Sequence, residues 1–359
     1  MFIKNLTINN LRNIESANLN LHQELNYLFG DNGAGKTSVL ESIVVLAKGR
    51  SFRSGQISSL LGPDAGHFRV VASTEYKRGN TQTLGIERSI SDWKARRNGE
   101  DVKQLSDLAS HLPLVLIEPN SHLLVSGPPE GRRRFLDWGV FHVEQGYLLL
   151  WRRYSRALKQ RNAALRKQDK SIIESLDGMV SDLGEKINDA RHKQQQILSG
   201  NLSEILKELS PDLASVKMRY DKGWKAENLL TALRDALPQD LDRGMTGPGP
   251  HKADVPVYLN NRLAKDRISR GEQKILSAAL LLSQARLMAE DGETPILLMD
   301  DLASEFDELH LSRVVSVARE LKAQIWITGT SYKPYTLIND GSYHMFHVEH
   351  GIIATETTS

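Results

Sequence analysis

An α/β fold interrupted by an inserted pair of long antiparallel helices follows from three observations. A short apolar run, Leu25 to Phe29, leads into Gly30-Asp31-Asn32-Gly33-Ala34-Gly35-Lys36-Thr37-Ser38 and then into a helical pattern from Ser38 to Ala47. A second apolar run, Pro295-Ile296-Leu297-Leu298-Met299, ends in Asp300-Asp301. Between them, from Trp151 to Leu209, glycine and proline thin out and apolar residues recur at steps of three, four and seven, the seam of a helical pair.

A Gly, four residues and Gly-Lys-Thr, set between strand and helix, form the signature of a phosphate loop. Glycines allow the positive φ values that turn successive N–H groups inward, so a β-phosphate is held by main-chain donors at a helix N-terminus. Lys36 is then expected to reach the β- and γ-oxygens, and the Thr37 hydroxyl to take Mg²⁺.

Before the loop, Phe2, Lys4, Leu6 and Ile8 alternate with Ile3, Asn5 and Thr7, a turn is predicted at Asn9-Asn10, and Leu19-Asn20-Leu21 continues the strand pattern. After it, Leu40, Ile43, Val44 and Ala47 give the helix one buried face, and Gly49 ends it. The glycine-bounded loop Gly49-Arg50-Ser51-Phe52-Arg53-Ser54-Gly55 is either plain solvated loop or a place where Arg50 and Arg53 meet phosphates of a nucleotide or of DNA. Phe68 to Ile90 reads as antiparallel strands around the polar turn Lys77-Arg78-Gly79-Asn80. Trp93 to Gly99 reads as a basic hairpin, and Leu114-Val115-Leu116-Ile117 as a buried strand stopped by Glu118-Pro119.

Arg132, Arg133 and Arg134 follow Gly127-Pro128-Pro129-Glu130-Gly131 at a predicted helix start, where the helix dipole disfavours cations. They answer either to an anion such as DNA or to a salt-bridged domain junction. The helical pair takes Trp151, Tyr154, Leu158 and Leu165, then Leu176, Met179, Leu183, Ile187, Ala190 and Ile197, as its seam, with Lys167-Gln168-Asp169-Lys170 as the turn. At 1.5 Å per residue the longer helix is on the order of 50 Å, a protruding hairpin.

Gly244 to Asp254 is a Gly/Pro-rich loop whose His251, Lys252 and Asp254 make it a candidate site loop. Ser269 and Glu272 form a Ser-x-x-Glu capping box before an apolar helix from Ile275 to Met288. With the small Gly271, such a helix start also presents N–H groups and a hydroxyl to an anion. Asp300 at the tip of its strand is expected to meet the water shell of Mg²⁺, and Asp301 to orient a hydrolytic water. Gln324 to Thr330 is a last buried strand ending in hydroxyls. The histidines from His344 onward show no metal-ligand pattern and receive no role.

Composition sets bounds. The 359 residues suffice for two or three domains, and 46 Lys+Arg against 44 Asp+Glu leave a net charge of only +2, so a nucleic-acid site must come from local clustering. With no cysteine there is no disulfide, thiolate zinc site or Cys nucleophile. No run approaches the ~18 apolar residues of a membrane span, and the N-terminus lacks the plan of a signal peptide, so a cytoplasmic protein is expected.

Lys36 and Asp300 lie 264 positions apart, yet Mg²⁺–nucleotide chemistry needs both at one ligand, so the nucleotide domain is split around the hairpin. The expected parts are residues 1–135 and 223–359 as the two halves, and 136–222 as a helical arm. This order of parts resembles ABC-type ATPases of the SMC group. Within that group it is similar to the RecF family, on Asn10-Leu11-Arg12-Asn13, Gly30 to Thr37, Gly49-Arg50-Ser51-Phe52-Arg53, Arg132 to Asp137, Gly249 to Asp254, Ser269 to Lys274 and Asp300 to Glu305.

The resemblance implies an ABC-type P-loop ATPase head split in sequence, with an inserted antiparallel hairpin arm. Nucleotide contacts are implied from Gly30 through Ser38, from Arg12, Asn13 and Thr330, and from Ser269 and Gly271 of a second copy facing the γ-phosphate. It further implies ATP and Mg²⁺ as cofactors, Thr37 and Asp300 as metal ligands, and an ATP-dependent homodimer. Slow, DNA-dependent hydrolysis through Lys36, Asp300, Asp301 and Ser269 is also implied, as are binding to duplex DNA or single-strand/duplex junctions and cooperation with RecR and RecO in loading recombinase. The sequence departs from related ATPases in having Asp301 where glutamate is usual, and no glutamine after Ile117, where Glu118 or Asn120 would substitute.

Three other readings fare worse. A DNA-tethering SMC ATPase needs a longer coiled coil or a cysteine hook, a transporter ATPase subunit carries no charged hairpin of this kind, and an overcoming-lysogenization-type nuclease needs an acidic cluster beyond Thr330, where Asp340 and two glutamates are too scattered.

Overall fold

Apolar alternation places Phe2–Leu11 (β1) and Ile14–Asn20 (β2) in an antiparallel hairpin. Its turn falls at Arg12-Asn13, three residues beyond the expected Asn9-Asn10, because Leu11 still pairs with Ile14 and Arg12 takes the positive φ of 57°. A register shift between Ile3 and Asn5 switches the face parity, so Ile3 joins Leu6 and Ile8 in the core in place of Phe2. A computed structural model of the chain describes residues 1–76, 79–292, 294–331 and 343–356. Lys77 and Arg78 of the expected turn, and Asp340, lie outside the described residues.

Leu25–Phe29 (β3) feeds the phosphate loop and Lys36–Lys48 (α1), which Gly49 closes in the left-handed region. Phe68–Glu75 (β4), Thr81–Arg88 (β5), Trp93–Arg97 (β6) and Glu100–Asp101 (β7) extend the first sheet to the order β2-β1-β4-β5-β6-β7. Leu105–Ala109 (α2) leads to Leu114–Ile117 (β8).

Next come Leu123–Ser126 (α3) and Pro129–Val143 (α4), whose first residue is the proline that suits a helix start. Tyr147–Lys167 (α5) and Lys170–Leu209 (α6) form the hairpin, turning at Gln168-Asp169 as expected, with Asp169 capping α6. At 40 residues α6 runs about 60 Å. Its seam agrees with the expected one at Leu183, Ile187 and Ala190 and slips by one residue on either side. Ile173, Val180, Leu183, Ile187, Ala190 and Leu198 are buried, whereas Met179 and Ile197 are 51% and 38% exposed. The buried face also holds Asp177, Arg191 and Gln194, and polar residues inside a seam mislead a pattern drawn from apolar ones alone.

Lys217–Met218 (β9), Leu229–Asp235 (α7), Leu237–Arg243 (α8), Val257–Leu259 (β10) and Arg262–Leu263 (β11) follow, then Arg270–Glu290 (α9). Rather than standing bare, the hairpin is covered by α7 against α6 and α8 against α5. Ile296–Met299 (β12), Leu302–Glu305 (α10), Glu308–Glu320 (α11), Gln324–Gly329 (β13), Tyr343–Glu349 (β14) and Ile352–Glu356 (β15) complete the chain.

The second sheet has the order β15-β14-β3-β13-β12-β8, parallel except for β15. Helix α1 packs on both β1 and β13, and one apolar core runs through the two sheets.

The chain divides into two compact units, Met1–Ser121 with Ala278–Ser359, and His122–Ser277. The expected boundaries at 135/136 and 222/223 therefore both fall inside the second unit. The physical reason is visible there: Arg132 and Arg133 of α4 bond to Asp254 and Ala253, so the segments on either side of the hairpin belong with it.

Candidate nucleotide site

Parallel strands bring their C-terminal ends together, and in the first unit β3, β12 and β13 end beside one another, where a doubly wound sheet places its ligands. Lys36 sits in the first turn of α1 with its ammonium folded onto the loop, donating to the carbonyls of Gly30 at 2.7 Å and Asp31 at 2.9 Å. Burial lowers its pKa, with Asp301, Asp300 and Asp31 opposing. Thr37 Oγ1 donates to Asp300 Oδ1 at 3.0 Å, and Thr328 Oγ1 to the same oxygen at 2.8 Å. The Asp301 N–H in turn donates to Thr328 Oγ1 at 2.8 Å. Desolvation raises the Asp300 pKa against these two hydroxyl donors.

Asp301 takes left-handed angles, φ 50° and ψ 39°, and Ser304 Oγ lies 2.7 Å from its Oδ2. Glu118 follows β8, one residue past the strand whose Ile117 carbonyl accepts from Asp300 N–H at 2.9 Å. Burial pushes the Glu118 carboxyl up to about 7, with Asp300 adding and Lys48 and Arg53 opposing. Burial likewise lowers the half-buried Lys48 to about 8, with Arg50 adding. The site thus holds two carboxyls disfavoured as anions beside two ammonium groups disfavoured as cations, an arrangement common where a charged ligand completes the electrostatics.

Arg12 forms a two-point ion pair with Glu41 at 2.7 and 2.8 Å, and Ser51 also donates to that carboxylate. Asn13 donates to the Ala34 carbonyl at 2.9 Å and accepts from Ser38 Oγ at 3.2 Å. Asn13 thus ties the phosphate loop at Ala34 to α1 at Ser38, while Arg12 is tied to α1 at Glu41. Asp31, Asn32 and Gly33 are exposed, and Ala34 and Gly35 are buried.

The loop is also held by the chain's last hairpin. The Gly351 N–H donates to the Ala34 carbonyl at 2.8 Å. A methyl group at Gly351 would come within 1.9 Å of the Asn13 carbonyl oxygen, and one at Gly30 within 2.1 Å of the Val348 carbonyl oxygen. Glycine is required at both places by this close approach. β14, which pairs with β3, stacks His347 on Phe29. Sequence reasoning left these histidines without a role, although the alternation of Met345, Phe346 and Val348 with polar residues carried a strand signal.

A family model described as "RecF/RecN/SMC N terminal domain" matches residues 2–354. The chain is 39% identical, over all of both chains, to the "DNA replication and repair protein RecF" of Xanthomonas axonopodis pv. citri (strain 306). To the protein of that name from Pseudomonas aeruginosa (strain LESB58) it is 36% identical, over 100% of this chain and 99% of the relative. The chain belongs to the RecF family. Among solved structures, its fold is similar to the one described as "Structure of the recombination mediator protein RecF-ATP in RecFOR pathway", with TM-score 0.87 at 24% identity over 99% and 98% of the two chains. An Smc head bound to the C-winged helix domain of ScpA matches at TM-score 0.61 and 14% identity. The split ATPase-type head with an inserted hairpin is therefore the RecF and SMC-head fold.

One expected residue of this RecF-family site, Arg132, needs correction, and one hydroxyl, that of Thr328, joins the site. Thr330 is exposed just past the end of β13, whereas Thr328, two residues earlier and buried, is the hydroxyl that bridges Asp300 and Asp301. Both threonines lie at the end of the same strand, and nothing local in the sequence singles out Thr328 as the partner of Asp300. Arg132 does not face an external anion. It is buried, paired with Asp254 at 2.7 and 3.0 Å, and bonded to the Gly127 carbonyl at 2.8 Å.

The other expected residues divide between the units. Arg50 and Arg53 are exposed in the first unit, and Arg53 acts electrostatically on both Asp300 and Glu118. In the second unit, Arg133 donates to the Ala253 carbonyl at 2.8 Å, and Arg134 is exposed in an ion pair with Glu130. Ser269 forms the expected capping box. Its Oγ accepts from Glu272 N–H at 3.2 Å and donates to Glu272 Oε2 at 2.7 Å, with Gly271 exposed beside it.

Proposed function

We propose that this chain binds ATP with Mg²⁺ at the phosphate loop and uses the bound nucleotide to pair with a second copy. The observation that carries this reading is the meeting of Thr37 and Asp300 on one carboxylate oxygen, 3.0 Å apart. Hydroxyl and carboxylate oxygens are the hard ligands Mg²⁺ prefers, and the two residues fit it. Thr37 and Asp300 would hold the metal, whose chemistry there would be to neutralise phosphate charge.

On this reading Lys36 exchanges the Gly30 and Asp31 carbonyls for β- and γ-oxygens. Thr328 holds Asp300 in place, and Asp301 orients the attacking water. Aspartate is shorter than the usual glutamate, which accords with slow hydrolysis. Ser269 and Gly271 of the second copy face the γ-phosphate, and Ser269 must first release its proton from Glu272. The solved relative's description as RecF-ATP supports the nucleotide.

The family's role in DNA replication and repair supports a DNA partner, as duplex or as single-strand/duplex junction, and RecR and RecO as co-workers in loading recombinase at gaps. Such work belongs in the cytoplasm. No helix among the described residues is long and apolar enough to cross a membrane. The test is sedimentation with and without ATP and a duplex oligonucleotide, for wild type, Lys36→Met and Ser269→Arg. Lys36→Met is expected to lose ATP binding, and Ser269→Arg to keep it and lose the ATP-dependent dimer. A dimer untouched by both changes rejects the reading.

A further inference from the structure

Within the second unit, the turn Gly249–Asp254 is held from several directions. Gly249 N–H donates to the Gly223 carbonyl at 3.2 Å, and the Pro250 carbonyl accepts from Arg191 Nη1 at 2.6 Å. His251 places Nε2 3.0 Å from the Thr246 carbonyl and Nδ1 2.7 Å from the Tyr154 hydroxyl. A carbonyl only accepts, so Nε2 carries the proton and Tyr154 donates to Nδ1. Burial holds this imidazole neutral, with a pKa lowered to about 4. The Ala253 carbonyl is taken by Arg133, and the Asp254 carboxylate by Arg132.

Lys252 is the exception. Its side chain is exposed and makes no hydrogen bond or ion pair among the described residues. It sits in a run of cations, since Lys252, Arg133 and Arg191 all act on His251. Three carboxylates act on Arg133 and each is already matched, Asp137 to Arg191, Asp254 to Arg132 and Glu130 to Arg134, while Asp221, which bridges to Asp254 through the main chain, accepts from the Gly223 N–H. Arg133 and Lys252 are left without a carboxylate partner of their own. An exposed lysine on a floppy loop signifies little, but this one is fixed on an immobilised turn next to an unmatched guanidinium.

We propose that Lys252 and Arg133 form a docking point for a phosphate of the DNA backbone. The site differs in kind from a nucleotide cradle. Main-chain donors do the work there, whereas here the N–H groups of Gly249, Lys252, Ala253 and Asp254 are all spent inside the fold. What is offered is side-chain charge alone, which positions a phosphodiester without reading bases. The inference rests on the DNA-binding reading above.

The test is the salt dependence of binding to two duplexes of unrelated sequence, for wild type, Lys252→Gln and Lys252→Arg. Loss of one phosphate contact makes the slope of log K against log salt shallower by about 0.9. Lys252→Gln is expected to show that change equally on both duplexes, and Lys252→Arg to restore the wild-type slope. ATP affinity and melting temperature are expected to stay at wild-type values in both variants. An unchanged slope in Lys252→Gln, with wild type binding DNA normally, overturns this inference and leaves the DNA reading standing. Wild type that binds neither duplex overturns both. A normal DNA slope with loss of the ATP-dependent dimer would instead give the phosphate to a nucleotide held by a facing copy, and overturns the assignment to DNA.

Discussion

Thr37 Oγ1 and Asp300 Oδ1 lie 3.0 Å apart across 263 residues of sequence, joining the start of α1 to the end of β12. If both are oxygen ligands of one cation, Asp300→Asn removes the charge that holds it. ATP affinity measured calorimetrically with Mg²⁺ is expected to fall by about tenfold or more, roughly 1.4 kcal/mol. Affinity measured in a chelator is expected to change little. Equal losses in both conditions would assign Asp300 a structural part only.

Thr328 donates to Asp300 and accepts from the Asp301 N–H while 1% exposed. Thr328→Val keeps the shape and leaves that N–H unmatched, at a cost of about 1–3 kcal/mol. Urea denaturation should report this loss. Thr328→Ser should recover most of it, because it restores the hydroxyl.

Glu118 has a folded pKa of about 7 against an ordinary 4.5. A carboxyl raised by burial favours the protonated fold, so its contribution is complete below the unfolded value and is lost as pH rises from 4.5 to 7. Glu118→Gln removes the titration. In nucleotide-free protein, the variant is expected to gain stability over wild type between pH 5 and 8, by roughly 1–3 kcal/mol at the upper end. Melting temperatures across that range check it, and parallel curves would refute it.

Arg161 is fully buried between Asp177 at 2.7 Å and Asp240 at 2.8 Å, joining α5, α6 and α8. Arg161→Met strands two buried carboxylates, and breaking such a cluster costs about 3–5 kcal/mol. Loss of helical signal at lower urea concentration is the expected result.

The parts of the molecule legible in the sequence were those governed by local pattern. β3, the phosphate loop, the hairpin turn at Gln168-Asp169 and the capping box of Ser269 each follow from residues within a few positions of one another. Long-range partners were not legible. Nothing near Arg132 names Asp254, nothing near Thr328 names Asp300, and buried polar residues such as Arg191, paired with Asp137, interrupt the apolar pattern of α6. The tail strand β14 was obscured because its apolar residues are interleaved with histidines, one of which stacks on Phe29.

Gly351 contacts the phosphate loop from the chain's last hairpin. Gly351→Ala, crowding the Asn13 carbonyl, is expected to weaken ATP binding, and calorimetry beside a melting curve will separate that effect from general unfolding.

Because β14 lies against β3 and the Gly351 turn braces Ala34, the phosphate loop acquires its final support only once the segment that carries Gly351 has been made and has folded onto it. Copies lacking that segment would carry the Gly30–Ser38 sequence without the strand and the turn that brace it.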